Sequence, residues 1–194
     1  VIDSSIYLYK NKDYNKAIYL LENSLSKNNF TPNQKNKIYF ELYNNSYWIN
    51  KDSCILYLYK SKTDYNHLND RQKAKLNYAL GNIHRLLKIH NDSAIYYFLK
   101  SLKHLEGNEI NVLKVRVKVY QKLANTFSRV NNKSKSYFYL KKNLSDLLHL
   151  KDTTNLAYNY NNLGTYFSSI DNADSSLFYY KKAISIKPNS SISG

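Results

Sequence analysis

The residues able to do chemistry are few and scattered. Five histidines stand at positions 67, 84, 90, 104 and 149, and none pair at the i, i+4 spacing that would set two imidazoles on one helical face. His84 and His90 are six apart, which places them on different faces of a helix. The four glycines are too dispersed to form a phosphate-cradling loop. Cys54 is the lone cysteine, so an intramolecular disulfide is excluded. Asp-Ser pairs recur at 52–53, 92–93 and 174–175 and resemble a catalytic pairing. Each opens an apolar segment, however, and capping of a helix start accounts for them. No catalytic residue, metal site or cofactor is expected, and the chain reads as a non-enzyme.

Those same pairs expose the elements that would position any site. Three stretches, 52–58, 92–98 and 174–180, read almost alike, with weaker copies at 16–21 and 135–140. Their small residues Ala17, Cys54, Ala94, Ser136 and Ser176 stand at steps of 37, 40, 42 and 40 residues. Apolar residues then recur at helical spacing, as in Ala94, Ile95, Phe98, Leu99 and Leu102. Polar breaks precede them: Asn11-Lys12-Asp13, Asn50-Lys51-Asp52, His90-Asn91-Asp92, Asn131-Asn132-Lys133 and Asp171-Asn172. Asn and Asp at such points can accept from the free N–H groups of the next helix. Ahead of each break lies another amphipathic segment, such as 112–130 with Val115, Val119, Leu123 and Phe127 on one face. The unit is therefore helix, tight turn, helix. Five units are expected, at about 1–30, 31–66, 70–107, 109–150 and 153–190. Cys54 stands where other units place Ala or Ser, which predicts a buried packing role.

Composition agrees with helices. Hydrophobic residues form 43% of the 194, enough for a core, while four Gly and two Pro are too few for the turns of a multistranded sheet. The net charge of +15 suggests a polyanionic partner, but only four of the 29 basic residues are Arg: Arg71, Arg85, Arg116 and Arg129. Lys, 27 Asn and 21 Tyr share AT-rich codons, so genome bias explains much of the excess, with a basic face for an acidic partner as the second explanation. Many Tyr fall at packing positions, and a minority could line a groove. No apolar run reaches the ~20 residues of a membrane span, and no signal-peptide pattern opens the chain. Beginning at Val1 without any Met, the chain reads as an excised or processed part of a longer protein, soluble and either cytoplasmic or periplasmic.

The last unit resembles the tetratricopeptide repeat (TPR) family through Tyr160, Leu163, Gly164, Phe167, Ser176, Tyr180, Ala183 and Pro188. The fourth follows through Tyr120, Leu123, Ala124, Phe127, Ser136 and Leu140, with Asn143 in place of a small residue. In the third, Leu80, Gly81, Ala94, Phe98 and Ser101 fit, while Asn77 and His84 replace aromatics. The first unit keeps Ala17, Leu21 and Ser24; the second keeps Cys54, Leu58 and Ser61. The resemblance implies an all-α, right-handed superhelical solenoid of antiparallel helix pairs. Its units of ~40 residues exceed the usual 34 by about one and a half helical turns, as in arrays of bacterial regulatory proteins.

It also implies where binding occurs, since first helices of such arrays line a concave groove. Carried over by position, the groove residues are Lys75, Tyr78, Asn82 and Arg85 in the third unit, Lys118, Gln121, Asn125 and Arg129 in the fourth, and Asn161, Thr165 and Ser168 in the fifth. Asn82 and Asn125 are equivalent, and an amide that donates and accepts can hold a peptide backbone. Tyr78 and Lys122 depart from the Lys and Asn of the carboxylate-clamping version. The resemblance implies a protein–protein interaction module, the sensory or scaffolding part of a larger bacterial signalling or transcription-regulatory protein, with a protein or peptide partner and cationic side chains that favour an acidic one. A helical-repeat RNA binder using the basic, Tyr-rich surface is the alternative; scarce Arg disfavours nucleic acid. The last helix, about 173–186, should expose Leu177, Tyr180, Ile184 and Ile186, a face open to self-association or to a following segment.

Overall fold

The computed structural model describes residues 1–63, 65–87 and 91–186, among which there are ten α-helices, one short 3-10 turn and no strand. Contacts divide the chain into two compact units, residues 1–83 and 84 onward, with the boundary inside α5 (Asp70–Leu86).

The first unit contains α1 (Ile2–Lys10), α2 (Tyr14–Lys27), α3 (Pro32–Ser46), α4 (Lys51–Lys62) and most of α5. Helices α1 and α2 pair, as do α3 and α4, and α3 packs against both α1 and α2. Ala17, Leu21, Ile38, Leu42, Cys54 and Leu58 lie at the centre, essentially inaccessible. Asn36 Nδ2 donates to the Ser61 carbonyl at 2.6 Å, so a buried polar group joins α3 to α4 without loss of a partner. Burial pushes the Cys54 thiol up to about 11, the state of an inert packing residue.

The second unit contains α6 (Asn91–Leu102), α7 (Ile110–Arg129), α8 (Lys133–Leu150), α9 (Thr153–Ser168) and α10 (Ala173–Ser185). Each packs on the next, the pairs α7/α8 and α9/α10 most extensively. Their crossings fall at the small residues: Ala124 and Gly164 are buried, facing Ser136 and Ser176. Both serines do more than leave room. Ser136 Oγ donates to the Ala124 carbonyl and Ser176 Oγ to the Gly164 carbonyl, each at 3.0 Å. Around each crossing the aromatics repeat as well. Phe127 stacks on Tyr139 and Phe167 on Tyr179, with interplanar angles of 2° and 7°. His84 stacks on Tyr97 in the corresponding place, so the residue that departs from the aromatic pattern still supplies a flat ring.

The turns are as regular as the crossings. Lys12, Asn131, Lys151 and Asp171 adopt left-handed φ of 60°, 56°, 53° and 57°. Beyond each, the following N–H reaches five residues back: Asp13 to Leu8, Asn132 to Phe127, Asp152 to Leu147 and Asn172 to Phe167. This closes the helix end by the Schellman pattern with a non-glycine residue at its left-handed position. The following residue then starts the next helix. Asn132, Asp152 and Asn172 accept from N–H groups of the first turn, as Asn50 does for α4. The Asp-Ser pairs are therefore not the caps: Asn50 and Asn172 are, and Asp52 and Asp174 sit inside the first turn, where their charge complements the helix dipole. The turn expected at 131–133 is found there; of the one at 90–92, His90 lies outside the described residues.

On α10, Leu177, Phe178 and Ile184 are exposed. The expected apolar face needs one correction. Tyr180 and Ile186 are half-buried, because the Tyr180 ring lies over Gly164 and Ile186 packs on the cluster of Ala124, Leu140, Tyr160 and Leu163. Pro188 lies outside the described residues.

Candidate functional site

In the first unit a cleft of 350 Å³ opens between α1, α3 and the start of α5. Its mouth is built by caps. Asn69 and Gln72 exchange side chain-to-backbone bonds at 2.9 and 3.1 Å, a reciprocal cap that starts α5, and Gln72 Nε2 donates to Asn33 Oδ1 at 2.6 Å. Lys37, Arg71 and Lys75 line the cleft with Phe40 and Ile2 as its apolar parts. The single acid is Glu41. Burial raises the Glu41 carboxyl above its ordinary range, while a bond from Asn44 and the charge of Lys75 pull it back. An anionic side chain entering here meets three cations against one acid.

In the second unit a cleft of 280 Å³ lies between α7, the α7–α8 turn, α8 and α9. Its lining is dominated by neutral hydrogen-bonding groups, among them Asn125, Ser128, Asn162, Thr165 and Ser169. Lys133 Nζ donates to the Ser169 carbonyl at 2.5 Å, fixing the α8 end to the α9 end. Asn162 Nδ2 is buried and has no hydrogen-bond partner among the described residues. A buried donor without an acceptor is costly, and an entering carbonyl would relieve it.

The groove residues expected from sequence are thus split between two separate units. Lys75 lines the first cleft; Asn125 and Thr165 line the second. Thr165 Oγ1 donates to the Asn161 carbonyl at 3.1 Å. Lys118, Arg129, Asn161 and Ser168 are exposed, and Tyr78 and Gln121 half-buried. Asn82 is half-buried with Oδ1 turned inside and unpartnered among the described residues, whereas Asn125 borders open space, so the two amides differ in setting. Arg85 is half-buried, its Nε likewise without a partner. Lys122 lies close enough that burial first, and the Arg85 charge second, hold its ammonium below the usual lysine range.

Lys37, Arg71, Glu41 and Asn162 belong to the clefts but not to the expected set. Lys37 and Glu41 sit in the second unit of the repeat pattern, where it is degenerate, and Arg71 stands at the very start of α5, ahead of the matched positions, so nothing assigned them by position. Asn162 immediately precedes Leu163 on α9, a position with a helix-facing component that the groove assignment passed over. Arg116, by contrast, is wholly structural. It clasps Asp146 with Nε–Oδ2 at 2.6 Å and Nη2–Oδ1 at 3.0 Å, and donates to the Gly107 carbonyl at 2.8 Å. That leaves one fewer guanidinium for a ligand.

No known protein-family profile matches the chain, and no curated protein matches it by sequence. Solved structures do. BtubC (BKLC) from P. vanneervenii is similar over 94% of this chain and 76% of its own, at a TM-score of 0.79 and 16% identity. MamA is similar over 93% of this chain and 92% of its own, at a TM-score of 0.64 and 16% identity. What they share with this chain is the fold. The chain has an all-α helical-repeat architecture, and no described helix is long and apolar enough to cross a membrane.

Proposed function

We propose that the chain is a protein-interaction module of TPR type that holds extended peptide segments in clefts lined by its first helices. The observation carrying this reading is the second-unit cleft, lined by the amides of Asn125 and Asn162 and by several hydroxyls, with Asn162 Nδ2 buried at its wall and without a partner among the described residues. An extended peptide offers carbonyls and N–H groups at regular intervals, which amides bind whatever its sequence. An acidic partner is favoured by Lys37, Arg71 and Lys75 in the first cleft. Crowded Arg85 and Lys122 favour it too, since an anion between them would offset their repulsion. The finer role, a sensory or scaffolding part of a larger bacterial regulatory protein, rests on the resemblance of the 40-residue units alone.

An array of short peptides graded in acidity tests the reading. Binding should rise with peptide acidity and fall with salt. Asn125→Ala and Asn162→Ala should each weaken it by about 1–3 kcal/mol. Lys118→Gln should mainly slow association. Peptide binding that survives the double Asn variant unchanged would remove the cleft from the account.

A further inference from the structure

The second helices of the second unit carry a feature that neither the core nor the clefts use. Counted from the buried small residue of each helix, Ala94, Ser136 or Ser176, two residues correspond to about 200° around the axis. That outward position holds an aromatic each time: Tyr96, Phe138 and Phe178, which are 58%, 52% and 52% exposed. Four residues further stands a lysine each time. The ammonium of Lys100 lies 6.0 Å from the Tyr96 ring centroid, that of Lys142 5.7 Å from Phe138, and that of Lys182 4.6 Å from Phe178. In the first unit the same position holds Tyr19 and Leu56, also exposed.

Exposed rings gain nothing from the core, and an isolated one needs no explanation. Three in register, each paired with a cation, form a surface of defined chemistry. Its charge is one-sided: α6, α8 and α10 carry seven Lys against three Asp. Asp92 and Asp174 lie in first turns, one helical turn before Tyr96 and Phe178 on the same face, and Asp146 is bound to Arg116, so lysines outnumber free acids there without excluding them. Because the same pair recurs from helix to helix, the surface suits an anionic occupant that is itself uniform over its length. A folded partner presents a different side chain at every point.

Among uniform anions, a single-stranded nucleic acid and an anionic bilayer are the two that take exposed aromatic rings as well as charge. Bases would need free ring faces, yet lysines lie over these rings, and guanidinium groups are scarce. Aliphatic Leu177 and Ile184 are exposed on the flank of α10, about 100–120° round the axis from Phe178, where they would meet an acyl boundary only at its edge but cannot stack. We propose that the outer face of α6, α8 and α10 docks peripherally on an anionic lipid bilayer. Its rings enter the headgroup layer and its lysines meet the lipid charge. The clefts use other residues, so this docking stands apart from the peptide reading.

Vesicle flotation tests it, with phosphatidylcholine alone and with about one third phosphatidylserine. The whole chain should float only with the anionic vesicles. Replacing the three lysines by Gln, or the three aromatics by Ser, should each weaken partitioning by about tenfold or more. Helical circular dichroism and binding to acidic peptides should persist in both; if the triple aromatic variant loses helicity, Phe138→Ser alone takes its place and should still weaken binding. Absence of flotation overturns the proposal. So does a loss confined to the lysine variant, which would mean charge adsorption without ring insertion. Binding of oligouridylate abolished by the same substitutions would assign the face to nucleic acid instead.

Discussion

Ser136 Oγ donates to the Ala124 carbonyl at 3.0 Å across the α7/α8 crossing, and Ser176 repeats the bond to Gly164 across α9/α10. Both serines are buried, at 5% and 7% exposure, so the hydroxyls face no competition from water. A helix carbonyl has a second lone pair beyond its intrahelical bond, and the serine uses it. The crossing is thus closed by shape and by a directed bond at once.

Removing that bond should be measurable. Ser136→Ala and Ser176→Ala should each cost about 0.5–1.5 kcal/mol in denaturant unfolding, because the carbonyl keeps its helical partner. Valine at either place should cost more, through crowding of the facing helix. An unchanged unfolding midpoint in both alanine variants would show the hydroxyls to be passengers.

Gly164 tests the closeness of approach. A Cβ built there would lie 2.7 Å from the Tyr180 ring. Gly164→Leu should therefore destabilise by about 1–3 kcal/mol despite better helix propensity. Pairing it with Tyr180→Ala should recover part of the loss. Thermal melts of the single and double variants would show the recovery, and its absence would mean that another contact sets the spacing.

The left-handed turns offer a gain instead. Lys151, at φ 53°, ends α8 in a conformation that costs a residue with a Cβ and costs glycine little. Lys151→Gly should stabilise by about 0.5–1 kcal/mol, net of the greater freedom of an unfolded glycine. Lys151→Val should destabilise, since a branched side chain fits this region poorly. Chemical denaturation of the two variants should therefore diverge in sign.

Glu41 predicts a pH dependence. Its folded pKa is raised, mainly by burial, so between the ordinary Glu value and the folded value the native state holds more protons than the unfolded chain. Stability must then fall as pH rises through that window, and the full cost remains above it. Glu41→Gln should raise the melting temperature near neutral pH and lose its advantage below the ordinary Glu range. The gain should be a few degrees at most, since about 1 kcal/mol moves the midpoint by about 2–4 °C at this size. A larger gain in acid than at neutrality would reverse the assigned sign.

The repeating skeleton was legible because each position answers to a spatial demand that recurs. Ala124, Gly164, Ser136 and Ser176 had to be small, and their spacing displayed it. His84 shows where such reading runs short. It interrupts the aromatic pattern in letters, but its ring satisfies the same demand for a flat face against Tyr97. The clefts were less legible for a different reason. Asn162 acquires its character from an Nδ2 without a partner among the described residues, which depends on what α8 and α9 leave open. Arg116 could not be distinguished by sequence from a ligand-binding guanidinium, because Asp146 is thirty residues away.

The serine latch joins residues only twelve positions apart. Closing so short a segment costs little chain entropy, and local contacts are reached quickly. Each such hairpin can therefore assemble as its own kinetic event before neighbours stack upon it. Folding of the second unit should start from either the α7/α8 or the α9/α10 pair, with the slower step being the stacking of α8 on α9, where the buried bond from Asn159 Nδ2 to the Leu140 carbonyl spans nineteen residues rather than twelve.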